Sequence, residues 1–245
     1  EQRQQPVREA VEAASRSNVY AEKALGTWGL VVIRTLDEVL ASLAAEIARD
    51  PGSAAARDML RTLSSHPDFR RENQQEQIAR WNKVLDLVLA AQNDDLQAAL
   101  VQHMRWHLSY NVKNRYPLME RIIMDGRPAA LAAVFETRHE ALWAVRQGKL
   151  LGPVCQRLDA AFKDGDTESR RQTVLAFASL LLKAAAQGSP LRQMGDEAAT
   201  AQAKDLMARM AAWAFEQPES AAAGFQLLGC MAPVQASPAL TWNEA

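Results

Sequence analysis

Apolar residues recur with a 3.6-residue period in almost every segment between breakers, and no run of alternating Val, Ile or Thr is closed by hairpin turns. The pattern predicts an all-α protein. Leu25, Trp28, Val32, Leu36, Val39, Leu43 and Ile47 recur at steps of three and four, which lays one apolar stripe along a single long helix ended by "DPGS" at 50–53. Upstream, "VREAVEAASRSN" is helical by composition, and Ser15 to Asn18 are placed to end one helix and start the next. Gly26 and Gly29 fall inside the strong stripe, where each costs on the order of 1 kcal/mol relative to Ala. A closely approaching helix is expected to offset that cost.

Further stripes run through Ile78, Trp81, Leu85 and Val88; through Leu131, Val134, Phe135, Leu142 and Val145; through Val174, Ala178, Leu181 and Ala185; and through Leu206, Met210 and Trp213. The breakers between them, among them "SSHPD" at 64–68, "QNDD" at 92–95 and "DGRP" at 125–128, are short, so consecutive helices should lie antiparallel. Ser53, Asp94, Asp166 and Asp196 stand at N-cap positions, and Pro128 and Pro153 suit first turns, where no backbone donor is needed. The expected architecture is one or more antiparallel bundles of roughly eight to ten helices. An irregular stack of helix pairs is the alternative, because no residue pattern recurs at a fixed solenoid period. Residues 1–231 are expected to form one helical unit with weak sub-boundaries at the polar stretches 70–77 and 187–196, and 232–245, with Pro233 and Pro238, an extended or disordered tail.

Composition narrows the function classes. With 48% apolar and 23% charged residues the chain is an ordinary soluble type, and an aromatic share of 6% leaves Leu, Ala, Val and Met to fill the interior. A net charge of -1 lacks the Lys and Arg surplus that general nucleic-acid binding needs. The longest apolar run, Trp28 to Ile33, is far shorter than the roughly 20 residues of a membrane span. Cys155 and Cys230 fit neither a CxxC pair nor a zinc-ligand spacing, so they are expected to be free thiols in a reducing compartment: the cytoplasm, or a target cell's cytosol for a secreted effector. The chain begins at Glu1 with no charged-then-apolar leader pattern, as expected of a processed product or a piece of a larger protein.

"LVQHMRWHLSY" at 100–110 carries the best candidate chemistry. On a helix begun at Asp95, residues Leu96, Leu100, His103, His107 and Tyr110 fall within about a sixth of a turn of one direction, with Ala98, Gln102, Arg105 and Ser109 opposite. Histidines at i and i+4 can offer two imidazoles to a metal such as zinc, given a third ligand from His66, His139, Cys155, Cys230 or a carboxylate. Beside Trp106 and Tyr110 they could instead recognise a small carboxylate, but the leading reading is that of buried polar groups paired inside the core. Arg138 lies on the apolar stripe between Leu131 and Leu142, where it needs an acidic partner or a bound anion.

Other signals fall short of motifs. "HEALW" at 139–143 has Trp143 where the zinc-protease helix needs its second histidine, "DAAFKDGDTE" at 159–168 lacks the calcium-loop spacing, and no phosphate loop, GxGxxG or GxSxG occurs. The stretch from Met104 to Arg127 interleaves Trp106, Tyr110 and Tyr116 with Arg105, Lys113, Arg115, Arg121 and Arg127, a mixture that helical phasing spreads over a surface and that suits a protein interface. The leading expectation is a non-catalytic helical protein–protein interaction module, a domain of a larger bacterial adaptor or secreted effector, with no cofactor. The alternatives are a ligand- or metal-sensing regulatory domain built on His103, His107, Tyr110 and Arg138, and an enzyme whose site assembles from distant residues.

Overall fold

A computed structural model describes residues 5–70, 73–113, 115–137, 149–164, 168, 170–174, 177 and 197–216. The fold is all-α, and no β-strand occurs among the described residues. The helices are α1 (Gln5–Ser15), α2 (Tyr20–Ile33), α3 (Leu36–Arg49), α4 (Ala54–Leu63), α5 (Gln74–Ala90), α6 (Asp94–Met104), α7 (Pro117–Asp125), α8 (Pro128–Thr137), α9 (Leu151–Asp164) and α10 (Glu197–Glu216), with short 3₁₀ turns at Pro67–Phe69 and Arg105–Ser109. Contacts divide the chain into two compact units, one drawn from Glu1–Val112 and Asp125–Ala133, the other from Lys113–Met124 and Val134–Ala245.

The long first helix expected from the stripe is two helices. α2 ends at Ile33, Arg34 and Thr35 are extended with ψ of 159° and 154°, and α3 begins at Leu36. A capping box causes the break. The Glu38 N–H donates to Thr35 Oγ1 at 3.3 Å, while the Glu38 carboxylate accepts from the Thr35 N–H at 2.8 Å and from its hydroxyl at 3.0 Å. The backbone donor at Thr35 is the largest influence holding the Glu38 carboxyl below its usual range, so the carboxylate stays charged at the α3 N-terminus. From the other side, His66 Nε2–H donates to the Arg34 carbonyl at 2.9 Å, one of the acceptors left over where α2 stops. The stripe then splits in burial: Leu36, Val39, Leu43 and Ile47 are buried, whereas Leu25 is 67% and Trp28 46% exposed.

The expected close neighbour at Gly26 and Gly29 is α1, which packs along α2. A β-carbon at position 26 would stand 2.1 Å from the Ser15 backbone nitrogen, and one at 29 would stand 2.8 Å from Val11 Cγ1. In the same unit α4 touches α2, α3 and α6, and α5 touches α3 and α6. Ser53 caps α4 as expected, accepting from the Ala56 N–H at 3.0 Å, and Ala56, Leu60 and Leu63 are buried. The polar stretch from residue 70 includes the start of α5, where Asn73 Oδ1 accepts from the Gln75 and Glu76 N–H groups at 3.0 and 3.3 Å. α6 is capped by Asn93, which accepts from the Leu96 N–H at 2.8 Å, and not by Asp94; Asp94 lies in the first turn and takes the Arg127 Nε–H at 2.6 Å. Gln97 is fully buried, accepts the Arg127 N–H at 2.8 Å and donates to the Leu89 carbonyl at 3.3 Å, tying the segment before α8 to the end of α5.

In the second unit, α7 buries Leu118, Met119, Ile122 and Ile123, and the Arg115 guanidinium donates twice to the Glu120 carboxylate. α9 buries Val154 and Leu158 and packs against α10, with Arg209 donating to Asp159 at 2.6 Å and pairing with Asp205 at 3.0 Å. Pro128 opens α8 and Pro153 lies in the first turn of α9, as expected. The caps proposed at Asp166 and Asp196, the 187–196 boundary and the 232–245 tail lie outside the described residues.

The two glycines of α2 give a graded test. Gly26→Ala meets backbone and should destabilise the protein by about 1–3 kcal/mol despite Ala's higher helix propensity. Gly29→Ala meets only the Val11 side chain and should cost less. Urea denaturation read by circular dichroism measures both, and a stabilised Gly26→Ala would refute the packing of α1 on α2.

Candidate functional site

The sequence-predicted site sits where α6 tightens. From Arg105 to Ser109 the chain is a 3₁₀ turn, closed by the Tyr110 N–H donating to the His107 carbonyl at 3.2 Å. A 3₁₀ turn advances about 120° per residue where an α-helix advances about 100°. His107 is therefore rotated by up to about 80° from the direction the α-helical wheel assigns it relative to His103. His103 is half-buried on the last turn of α6, and His107 is 1% exposed.

His107 lies in an aromatic cluster. Its ring centroid is 4.1 Å from Trp106 in a stacked arrangement, 5.1 Å from Trp81, 5.3 Å from Tyr110 and 6.2 Å from Phe69, and Phe69 lies 4.3 Å from Trp81. His107 Nδ1 and Tyr110 Oη share a hydrogen bond of 2.9 Å. Burial pushes the imidazole down to about 4 and the Tyr110 hydroxyl up from its ordinary value, so both are neutral at pH 7. Trp81 comes from the buried face of α5, and its Nε1–H has no hydrogen-bond partner among the described residues. Phe69 is delivered by the 3₁₀ turn Pro67–Phe69, which His66 caps: Nδ1 accepts the Asp68 N–H at 3.1 Å, which makes Nε2 the protonated nitrogen that reaches Arg34. Both His66 nitrogens are thereby committed to backbone groups.

Of the predicted site residues, the structure brings together His107 and Tyr110. Arg138 lies outside the described residues, as do His139 and Cys230 from the possible third ligands. Among the described residues no three His, Cys, Asp or Glu side chains are grouped to hold a metal ion. The expectation had missed Phe69 and Trp81, whose approach is long-range, although the Pro67–Phe69 turn is foreshadowed by the "HPDF" breaker. In the basic and aromatic stretch, Tyr110 and Tyr116 are buried, while Arg115 pairs with Glu120 and Arg127 with Asp94. Trp106 is 58% exposed.

A second surface was not foreseen. On α2, Ala21, Leu25, Trp28 and Val32 fall within an arc of about 60°, and each is exposed or half-buried. Val7 on α1 adds a side chain that is 55% exposed. Nearby, a half-open pocket of about 240 Å³ is lined by α2, α3 and α4 together with Ser15 of α1, and a neighbouring one of about 330 Å³ is lined by α1, α2 and α3. No protein-family model matches the chain, and comparison with curated proteins and with solved structures yields no match. No helix among the described residues is long and apolar enough to cross a membrane.

The depressed His107 value makes stability depend on pH. The imidazole is neutral in the folded state down to about 4 and takes up a proton near 6.5 when unfolded. Its contribution is therefore complete above about pH 6.5 and declines as pH falls toward 4, by about 3 kcal/mol in all. His107→Phe keeps a ring in the cluster and removes the titration. Between about pH 7 and about pH 4.5 the variant should lose less stability in urea than the wild type; parallel losses would place His107 in contact with water.

Proposed function

We propose that the chain is a non-catalytic helical module that captures a partner protein, and that the outer row of α2 is its contact face. One observation supports this reading: Leu25 and Trp28 stand 67% and 46% exposed in a continuous apolar row, on a helix whose other side is engaged by α1. Contiguous exposed apolar side chains cost solubility and commonly mark a binding surface. A tryptophan beside a leucine at helical spacing suits an amphipathic helix laid along it, with the aromatic as anchor. The partner proposed is such a helix on another protein, met in the cytoplasm, or in a target cell's cytosol if the chain belongs to a secreted effector.

Replacing Leu25 and Trp28 together by Ser removes the row and leaves the core untouched, so stability should change by no more than about 0.5 kcal/mol. Captured protein should fall at least about tenfold in a quantitative pull-down, while Val19→Ser, an exposed change off the row, retains it. Equal capture by wild type and double variant would reject the row as the contact face. A concentration-dependent doubling of mass in sedimentation velocity, lost in the double variant, would show a second copy of the chain on that face and overturn the different-protein reading.

A further inference from the structure

The pocket between α2, α3 and α4 has an apolar part and a polar part. Its floor is apolar, with Leu30, Val31, Val39 and Met59, of which Val31 and Val39 are buried. Its polar wall is cationic. Lys23 lines it from α2 and Arg34 from the extended joint after that helix, and Ser42 and Glu46 line it from α3.

Arg34 is paired with Glu12, yet it keeps N–H donors that no protein acceptor among the described residues takes. The Arg34 guanidinium has five N–H donors; Nη1 donates to Ser42 Oγ at 3.2 Å, and Nη2 reaches Glu12 at a long 3.4 Å. Lys23 has no carboxylate within ion-pair distance among the described residues. Glu46, the one carboxylate in the lining, is already engaged: its Oε1 accepts from Ser53 Oγ at 2.8 Å and from Arg49 Nη2 at 2.5 Å. The neighbouring cavity shares Leu30, Arg34 and Ser42 and is lined by Arg8, Glu12 and Glu38 as well, so the carboxylate that pairs with Arg34 stands on that side.

We infer that the α2–α3–α4 cavity binds a small amphipathic carboxylate, its head group on the Arg34 guanidinium and its apolar body against Val31, Val39 and Met59. A carboxylate accepts the planar donor pair of an arginine, which an alcohol cannot match, and a cation is repelled by Arg34 and Lys23. About 240 Å³ admits a body of several carbons. The inference is independent of the partner-capture reading, since it concerns the inner side of α2.

Octanoate is the probe. Titrated into the full chain, it should shift the amide resonances of Thr27, Leu30 and Ser42 saturably. Octanol and octylammonium should bind at least about tenfold more weakly, the value of a charge-assisted hydrogen bond, and acetate should produce no saturable shift. Arg34→Gln should weaken octanoate about tenfold, and Ala55→Phe, which fills the cavity from α4, should abolish the shifts. Absence of saturable shifts, octanol or octylammonium binding as tightly as octanoate, or unchanged octanoate affinity in Arg34→Gln would each overturn the inference. The head-group series on the wild-type chain decides the matter without relying on either variant to fold.

Discussion

A reciprocal pair of hydrogen bonds between Thr35 and Glu38 governs much of the first unit. It stops α2 at a point where the apolar rhythm alone would carry the helix onward, and the half of the stripe before the joint turns outward while the half after it is buried. His66 links the joint to the rest. The imidazole that takes the Arg34 carbonyl also accepts the Asp68 N–H, so the same side chain shapes the turn that brings Phe69 under Trp81 and His107. Helix end, aromatic cluster and cavity wall are mechanically one construction.

Fold class was legible because helical periodicity is repeated in every segment, and Ser53, Pro128 and Pro153 were legible because their roles depend on immediate neighbours. The joint was harder. Val32 and Leu36 are four residues apart, so the apolar register continues across the break as though none existed, although "TLDE" at 35–38 contains the capping box. Asn93 and Asp94 are adjacent and both are good caps, and spacing alone could not choose between them. The wheel for the histidine pair rests on one assumption, that α geometry persists to Tyr110; the chain tightens to a 3₁₀ turn from Arg105, with His107 buried and His103 half-buried. Phe69 and Trp81 could not be paired with His107 from sequence, because their meeting depends on how separate elements dock.

Electrostatics contribute less to the folded state than the number of ion pairs suggests. Arg49–Glu46, Arg61–Asp58 and Arg171–Glu168 each join neighbours three residues apart through a solvent-exposed arginine, and such pairs stabilise by a few tenths of a kcal/mol. Buried polar groups that hold backbone in place act differently. Gln97 and His66 each satisfy main-chain groups at the ends of helices, so losing either side chain would leave buried backbone donors or acceptors without partners.

Around the circumference of α2 the tolerance for change is lopsided. At positions 26 and 29 any side chain collides with α1, whereas at 21, 25 and 28 a replacement meets water. Recognition could therefore drift or be redesigned on the outer row, one residue at a time, without renegotiating the architecture behind it. A single helix thus separates the part of the molecule that must stay fixed from the part that is free to acquire new specificity.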